Sequence, residues 1–279
     1  MEKSFGVIGG DRRQAELARL LMADNDSVCT YGLRAWKAPG AEPLEKVVMA
    51  DVIILPLPLC SRDGVLNCQE KPMRTMDLFR RLKPTQRILA GQVKPQQKKE
   101  AELCGLEIED YFLREELTVA NAAATAEAAI QVAMDQLEET LLGMECLVIG
   151  FGRIGKLLSH RLAGMGAKVT ATARKAEDLA WIRAYGFRAE ETMELEGKLG
   201  SYGLVFNTVP RLTLDAALVS QLNKECLCID LASCQGIDLA AAEQLGMPNI
   251  WARSLPGRFL PCTAAKAVRD AVYHILSEG

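Results

Sequence analysis

The sequence predicts an α/β protein made of two doubly wound parallel-sheet domains. The first is flavodoxin-like, the second is of the Rossmann type, and a long helix joins them. Three observations predict this. Apolar runs of strand length alternate with helix-spaced segments twice along the 279 residues. An alanine-rich stretch over 120–142 separates the two series. In the second series a strand runs directly into the glycine turn of LVIGFGRIG, residues 147–155.

In the first series, 5–10 is a short apolar run ending in two glycines, and 14–22 has Ala15, Ala18, Leu21 and Met22 at helical spacing. Residues 27–31 form a second strand, and the β-branched DVIIL of 51–55 a buried third. The polar, turn-rich stretch over 57–72 is expected as a loop at a strand end. Helices follow over 73–82 and 95–104, the latter with proline near its start, and strands over 87–90 and 108–112. The linker places Ile130, Met134, Leu137 and Leu141 on one helical face, and Gly143 ends it. The second series gives strands over 146–149, 168–173, 186–190, 204–208, 226–230 and 249–252. Helices over 154–165, 176–185, 214–222 and 239–245 lie between them, and a last helix covers 263–276. The expected domains are 1–117 and 144–262, with the linker at 118–143. Residues 263–279 are expected to pack back on the first domain.

Composition removes other classes. Thirty-three basic and 36 acidic residues give a net charge of -3, so no nucleic-acid partner is expected. The longest apolar stretch, 47–60, is broken by Asp51, Pro56 and Pro58, short of the ~20 residues of a membrane span. The opening MEKSFGVIGGDRRQ becomes charged too early for a signal peptide. Nine scattered cysteines without such a signal read as reduced thiols, which suits a cytoplasmic protein. Cys226 and Cys228 alone cannot complete a zinc site, so no metal is expected. The two histidines, His160 and His274, both fall in helical patterns, which weakens any mechanism using a loop histidine as base.

The glycine turn carries the most chemistry. Gly150 permits the tight turn, Gly152 lets the backbone approach a pyrophosphate, and Gly155 brings helix and strand together. Arg153 and Ile154 sit in the same turn, whose helix amides face the anion. The next strand ends in Ala173-Arg174-Lys175, where NAD sites carry an acid. Arg174 and Lys175 either meet a 2′-phosphate, which favours NADP over NAD, or cap an exposed strand end. Two further strands end in Asn207-Thr208-Val209-Pro210 and in Asp230-Leu231-Ala232-Ser233, at the edge where such folds bind ligands. The first domain has its own turn, Gly9-Gly10-Asp11-Arg12-Arg13-Gln14. Helix-start amides and one guanidinium there suit a substrate carboxylate. Arg12 and Arg13 point about 100° apart, so only one faces inward.

GVIGGDRRQ at the start, DVIILPLP at 51–58, NAAATAEAAIQ at 121–131, GFGRIG, IDLAS and SLPGRFLPCTAA at 254–265 follow one another in an order that resembles the family of dipicolinate synthase A subunits. The resemblance covers nearly the whole chain. It implies an oxidoreductase that converts dihydrodipicolinate or hydroxytetrahydrodipicolinate into pyridine-2,6-dicarboxylate, with NADP as hydride acceptor. It also implies a flavoprotein-like partner, the B subunit of dipicolinate synthase, with a role in the mother cell during sporulation. A homo-oligomer is expected. The family's GGD-x-R-Q pattern favours Arg13 over Arg12. A small dicarboxylate needs two anion-binding points, so Gly10, Arg12, Arg13, Gln14, Pro58, Asn121, Thr125, Ser233 and Arg258 are expected to line its site, between the two sheet edges. The catalytic acid–base residues are left unassigned.

Two other readings compete. A D-2-hydroxyacid or alanine dehydrogenase relative shares the two-domain layout. Such hydroxyacid enzymes, however, use a loop histidine where this chain has RSLPGRFLP. A non-catalytic NADP-sensing subunit is the other, and turnover of the nicotinamide separates it from the enzyme.

Overall fold

Two parallel sheets organise the chain in the computed structural model, which describes residues 3–62, 64–68, 70 and 72–278. Residues 1–2 and 279, the ends of the expected first domain and last helix, lie outside the described residues, as do 63, 69 and 71 of the expected loop. In the first half the elements are β1 (Ser4–Ile8), α1 (Arg12–Ala23), β2 (Ser27–Tyr31), α2 (Leu44–Val47), β3 (Val52–Ile54), β4 (Cys60–Arg62), β5 (Val65–Leu66), α3 (Thr75–Phe79), β6 (Arg87–Ala90), α4 (Pro95–Leu103) and β7 (Ile108–Asp110). Then come α5 (Glu115–Met134), β8 (Glu145–Ile149), α6 (Arg153–Gly164), β9 (Lys168–Ala173), α7 (Ala176–Ala184) and β10 (Arg188–Glu191). The chain continues through β11 (Leu204–Asn207), α8 (Ala216–Val219), β12 (Leu227–Asp230), α9 (Leu239–Gln244), β13 (Asn249–Trp251), α10 (Leu255–Phe259) and α11 (Pro261–Glu278).

The chain forms two units, Met1–Asn121 with Pro256–Gly279, and Ala122–Leu255. In the first unit the sheet order is β2-β1-β3-β6-β7, all parallel, the doubly wound order of flavodoxin-like sheets. Both faces are covered, which explains the unbroken apolar strands. Phe5 and Val7 face Leu17, Ala18 and Leu21 of α1 with Val268, Val272 and Ile275 of α11. Ile8, Ile53 and Leu55 face Leu44, Val47, Leu78 and Phe79. Each of these side chains other than Ala18 stabilises the unit by about 1.5–3 kcal/mol through burial. Helix α1 starts at a capping box, in which Asp11 accepts from the helix start and Gln14 reaches back to the Asp11 amide.

The second unit has the order β10-β9-β8-β11-β12-β13, again all parallel. This is the strand order of dinucleotide-binding sheets, with the reversal at β8 and β11. Burial pushes the Cys146 thiol, on β8, up to about 12, so it is inert packing.

Three expectations need correction. The stretch 57–72 contains an antiparallel hairpin, β4 with β5, in place of a plain loop. The joining helix runs Glu115–Met134 and not 118–143. Glu115 and Glu116 favour its positive N-terminal end, whereas Asp135, Glu138 and Glu139 oppose extension at its negative end. The chain passes between units after Asn121 and after Leu255, against the expected 117 and 262. Among the described residues no helix is long and apolar enough to cross a membrane.

Candidate functional site

In the second unit, the carboxyl edge of the sheet holds a cavity of about 390 Å³ lined by Gly150, Phe151, Gly152, Ala173, Arg174, Lys175, Asp178, Thr192, Met193 and the segment from Thr208 to Thr213. Its floor is the glycine turn between β8 and α6. Gly150 has φ +97°, and a Cβ there would sit 2.5 Å from the Thr208 hydroxyl and 2.7 Å from Val209. A Cβ on Gly155 would collide with the Gly150 carbonyl oxygen, so helix and strand meet where no side chain fits. Gly152 is the N-cap of α6, without a capping side chain, and nothing lies within 4 Å of its Cβ position. The first turn of α6 contains no acid. Open space in front of uncapped helix amides is what a pyrophosphate requires, so these residues fit a dinucleotide. Thr172 braces the turn by accepting from the Gly150 amide at 3.3 Å and bonding Thr192 at 3.0 Å.

Of the expected cofactor residues, Gly150, Gly152, Arg174, Lys175, Thr208, Val209 and Pro210 line the cavity. Arg153 is exposed and Ile154 half-buried in the first turn of α6. Asn207 and Asp230 require correction, because both are fully buried and their polar atoms are bound internally. Asp230 accepts from Asn207 Nδ2 at 3.0 Å and from the amides of Ala232, Gly236 and Ile237 at 2.9, 2.6 and 2.9 Å. Asn207 also donates to the Val209 carbonyl and accepts from its amide. They shape the two loops and do not face the cavity. Leu231 and Ala232 are buried as well. Sequence reading missed Asp178, Met193, Arg211 and Leu212. They come from three separate segments, and only the sheet order brings them together. Met193 and Leu212 stand out as exposed apolar side chains at the rim, 80% and 59% accessible.

In the first unit, the turn after β1 is closed by the chain itself. Gly9 donates to the Tyr31 carbonyl at 2.8 Å and Gly10 to that of Asn67 at 2.6 Å, while the Asp11 amide meets Gln14 Oε1 at 3.1 Å. The Arg13 amide meets Asp11 Oδ1 at 2.9 Å. The anion at this helix start is therefore the Asp11 carboxylate, which corrects the expectation that free amides there await a substrate.

Arg12 and Arg13 now separate. Arg12 points outward, its side chain 52% exposed and 3.8 Å from Glu16. Arg13 is buried, 7% exposed. Its Nε and Nη2 donate to Asp11 at 3.0 and 2.8 Å, and Nη2 also donates to the Leu57 carbonyl. Among the described residues, Arg13 Nη1 makes no hydrogen bond. Leu57 precedes Pro58 through a cis peptide, and the Pro58 carbonyl accepts from Asn67 at 3.3 Å. Gln14 is buried with Nε2 lacking a partner. Nearby, the Tyr111 hydroxyl donates to the Leu55 carbonyl at 2.9 Å, and burial pushes its phenol well above the usual range. Gly257 lies against the same pair, since a Cβ there would be 2.7 Å from Asp11 Oδ2 and 2.9 Å from Arg13 Nε.

Gly10, Arg13, Gln14 and Pro58 are thus brought together, with Gly257 beside them. Arg258 is exposed, its guanidinium 5.4 Å from the Phe259 ring centre. Asn121 is half-buried, Thr125 buried and Ser233 exposed. His160 lies exposed on α6 against Tyr185 and Phe187, and His274 on α11 is 3.6 Å from Glu116. Among the described residues no cluster of histidine, cysteine or carboxylate side chains is arranged to hold a metal.

Residues 116–238 match the family described as the D-isomer specific 2-hydroxyacid dehydrogenase, NAD binding domain. With the sheet order and the glycine-turn cavity, this defines an oxidoreductase-like protein with a dehydrogenase-type NAD-binding domain. Residues 4–112 match the N-terminal domain of the dipicolinate synthase A subunit. The whole chain resembles that protein. It is 28% identical to the dipicolinate synthase A subunit of Bacillus subtilis (strain 168), over 98% of this chain and 96% of the relative. The crystal structure of dipicolinate synthase, A chain, from Bacillus subtilis is 26% identical with a TM-score of 0.86, covering 100% of this chain and 97% of that one. The dipicolinate synthase A subunit of Bacillus halodurans shares the fold at a TM-score of 0.89 and 24% identity, covering 100% and 99%.

Proposed function

We propose that this chain is the oxidoreductase subunit of a dipicolinate-forming enzyme. It dehydrogenates dihydrodipicolinate to pyridine-2,6-dicarboxylate with NADP, the bound cofactor accepting the hydride. The second hydrogen leaves as a proton. Hydroxytetrahydrodipicolinate reaches the same compound by losing water first. The ring becomes aromatic, so the protein's task is mainly placement.

The observation that carries this reading is Arg13. Its guanidinium is buried and fixed by Asp11 and the Leu57 carbonyl, yet Nη1 is left over, in a unit matching the dipicolinate synthase N-terminal domain. A fixed guanidinium with spare donors is a carboxylate ligand that loses little freedom on binding. Gly10, Gln14, Pro58, Asn121 and Arg258, all of the first unit, complete the proposed substrate set there, and Arg12 contributes charge only from the surface. In the cofactor unit, Gly152 and the α6 amides hold the pyrophosphate and Arg174 the 2′-phosphate. The relative carries the letter A among the components of its synthase, which supports a partner, proposed as the flavoprotein-like B subunit. A role in the mother cell during sporulation is proposed as well. Self-association into a homo-oligomer is proposed too.

The test is turnover of dihydrodipicolinate with NADP, with and without the partner protein, followed by nicotinamide absorbance. Arg13→Lys keeps a charge beside Asp11 but lacks the fork, and is expected to raise KM for the dicarboxylate by about tenfold or more. NADP affinity should stay within about twofold. Absence of turnover under every condition, or faster turnover of simple 2-hydroxy acids, overturns the reading.

A further inference from the structure

We propose that Arg211, on the loop after β11, is a second ligand for the adenosine 2′-phosphate. It acts with Arg174 and is a specificity-determining residue for NADP. The proposal rests on the NADP reading above and deepens it.

Three cations line the cofactor cavity, Arg174, Lys175 and Arg211, against a single carboxylate, Asp178. Lys175 is already engaged, its Nζ 3.2 Å from Glu177 in the first turn of α7. Among the described residues, neither the Arg174 nor the Arg211 guanidinium has an ion pair or a side-chain hydrogen bond. These two reach the cavity from opposite sides of β8, Arg174 from the end of β9 and Arg211 from beyond β11. An unpaired arginine on a surface is ordinary. Two on one cavity, without the acid that an NAD site carries at the end of β9, make a site for a dianion. A phosphate has three oxygens to satisfy, and two guanidinium forks satisfy them better than one.

The loop also holds the Arg211 backbone in place. Its amide donates to the Val209 carbonyl at 2.9 Å, and Val209 is tied at both its amide and its carbonyl to Asn207. Thr213, two residues on, donates to the Gly236 carbonyl at 2.9 Å. The side chain thus swings from a fixed point, which reduces the entropy lost when it closes on a ligand. Its neighbour Leu212 and Met193, which also lines the cavity, offer exposed apolar side chains for a planar base.

The experiment is calorimetric titration of the full-length protein with NADP, NAD, 2′,5′-ADP and ADP. Wild type is compared with Arg211→Ala, Arg211→Lys, Arg174→Ala and the double variant. Arg211 is exposed, so its removal should leave the melting temperature unchanged. The expected result is about a tenfold weakening of NADP and 2′,5′-ADP by Arg211→Ala, with NAD and ADP changed less than about twofold. Arg211→Lys should recover part of the loss, and the Arg174 and Arg211 losses should be non-additive. If wild type prefers NADP but Arg211→Ala keeps the NADP-to-NAD ratio, Arg211 is no ligand and the NADP reading stands. If wild type shows no preference for the 2′-phosphate, the NADP reading falls and this proposal falls with it.

Discussion

Asp11 grips Arg13 through two guanidinium nitrogens while its Oδ1 caps the helix that carries Arg13. One carboxylate therefore sets both the backbone and the side chain of the proposed substrate arginine. Asp11→Ala should cost roughly 3–5 kcal/mol of stability, because it strands a buried guanidinium as well as removing a cap. Asp11→Asn keeps a capping oxygen, so its loss by urea denaturation should be smaller. Equal losses for the two would show that the cap contributes nothing beyond the ion pair, and an Asp11→Asn variant as stable as wild type would show that the ion pair contributes nothing.

The two later glycines of the second-unit turn should respond in opposite ways to the same methyl group. Gly152→Ala adds a methyl to open space, so the melting temperature should hold while dinucleotide affinity drops about tenfold or more. Gly155→Ala meets the Gly150 carbonyl and should destabilise the unit by about 1–3 kcal/mol. Thermal melts beside cofactor titrations read both. Tight binding by Gly152→Ala would place the pyrophosphate elsewhere.

Asp230→Ala should be severe although Asp230 touches no part of the cavity. Three backbone amides and the Asn207 amide group would lose their acceptor, each at about 1–3 kcal/mol if left dry. Hydrogen exchange should show the amides of Gly236 and Ile237 losing protection first. A variant as stable as wild type would contradict this loop-shaping role.

The order in which residues were legible follows from what determines each one. The glycine turn of 150–155 was readable because its strand, turn and helix are contiguous, and the alternation of apolar runs carried both sheets. The choice between Arg12 and Arg13 was not readable from spacing, because it depends on which side of α1 meets Leu57, a residue far along the chain. Asn207 and Asp230 misled for a related reason. A polar residue at a strand end can serve a ligand or its own loop, and only the path of 232–237 decides. The hairpin β4–β5 hides in a polar run because its strands are three and two residues long. Arg211 gives no signal of its own; Arg174, with which it is proposed to act, comes from a different strand end.

The clasp at the ends of α5 and α11 should be pH-dependent. Arg114 bonds Glu278 at 2.6 and 2.7 Å and Glu116 at 2.9 Å, and those bonds hold both carboxyls below their ordinary 4.5. A carboxyl depressed in the folded state contributes stability above its unfolded value and loses it as pH falls through the folded one. Arg114→Ala should therefore melt below wild type at neutral pH, with the gap closing as pH drops beneath 4.5. A gap that persists in strong acid would assign the loss to packing.

Helix α11 sits in the core of the first unit against α1, though almost the whole chain lies between them in sequence. That separation orders events on the ribosome. The second unit is one continuous stretch, so it can fold while translation continues. The first unit must wait, with the apolar face of α1 uncovered, until α11 has been made. Chaperone dependence during synthesis should thus concentrate on the segment made first. A ribosome stalled just after residue 255 has cleared its exit should display a folded second unit beside a protease-sensitive first one.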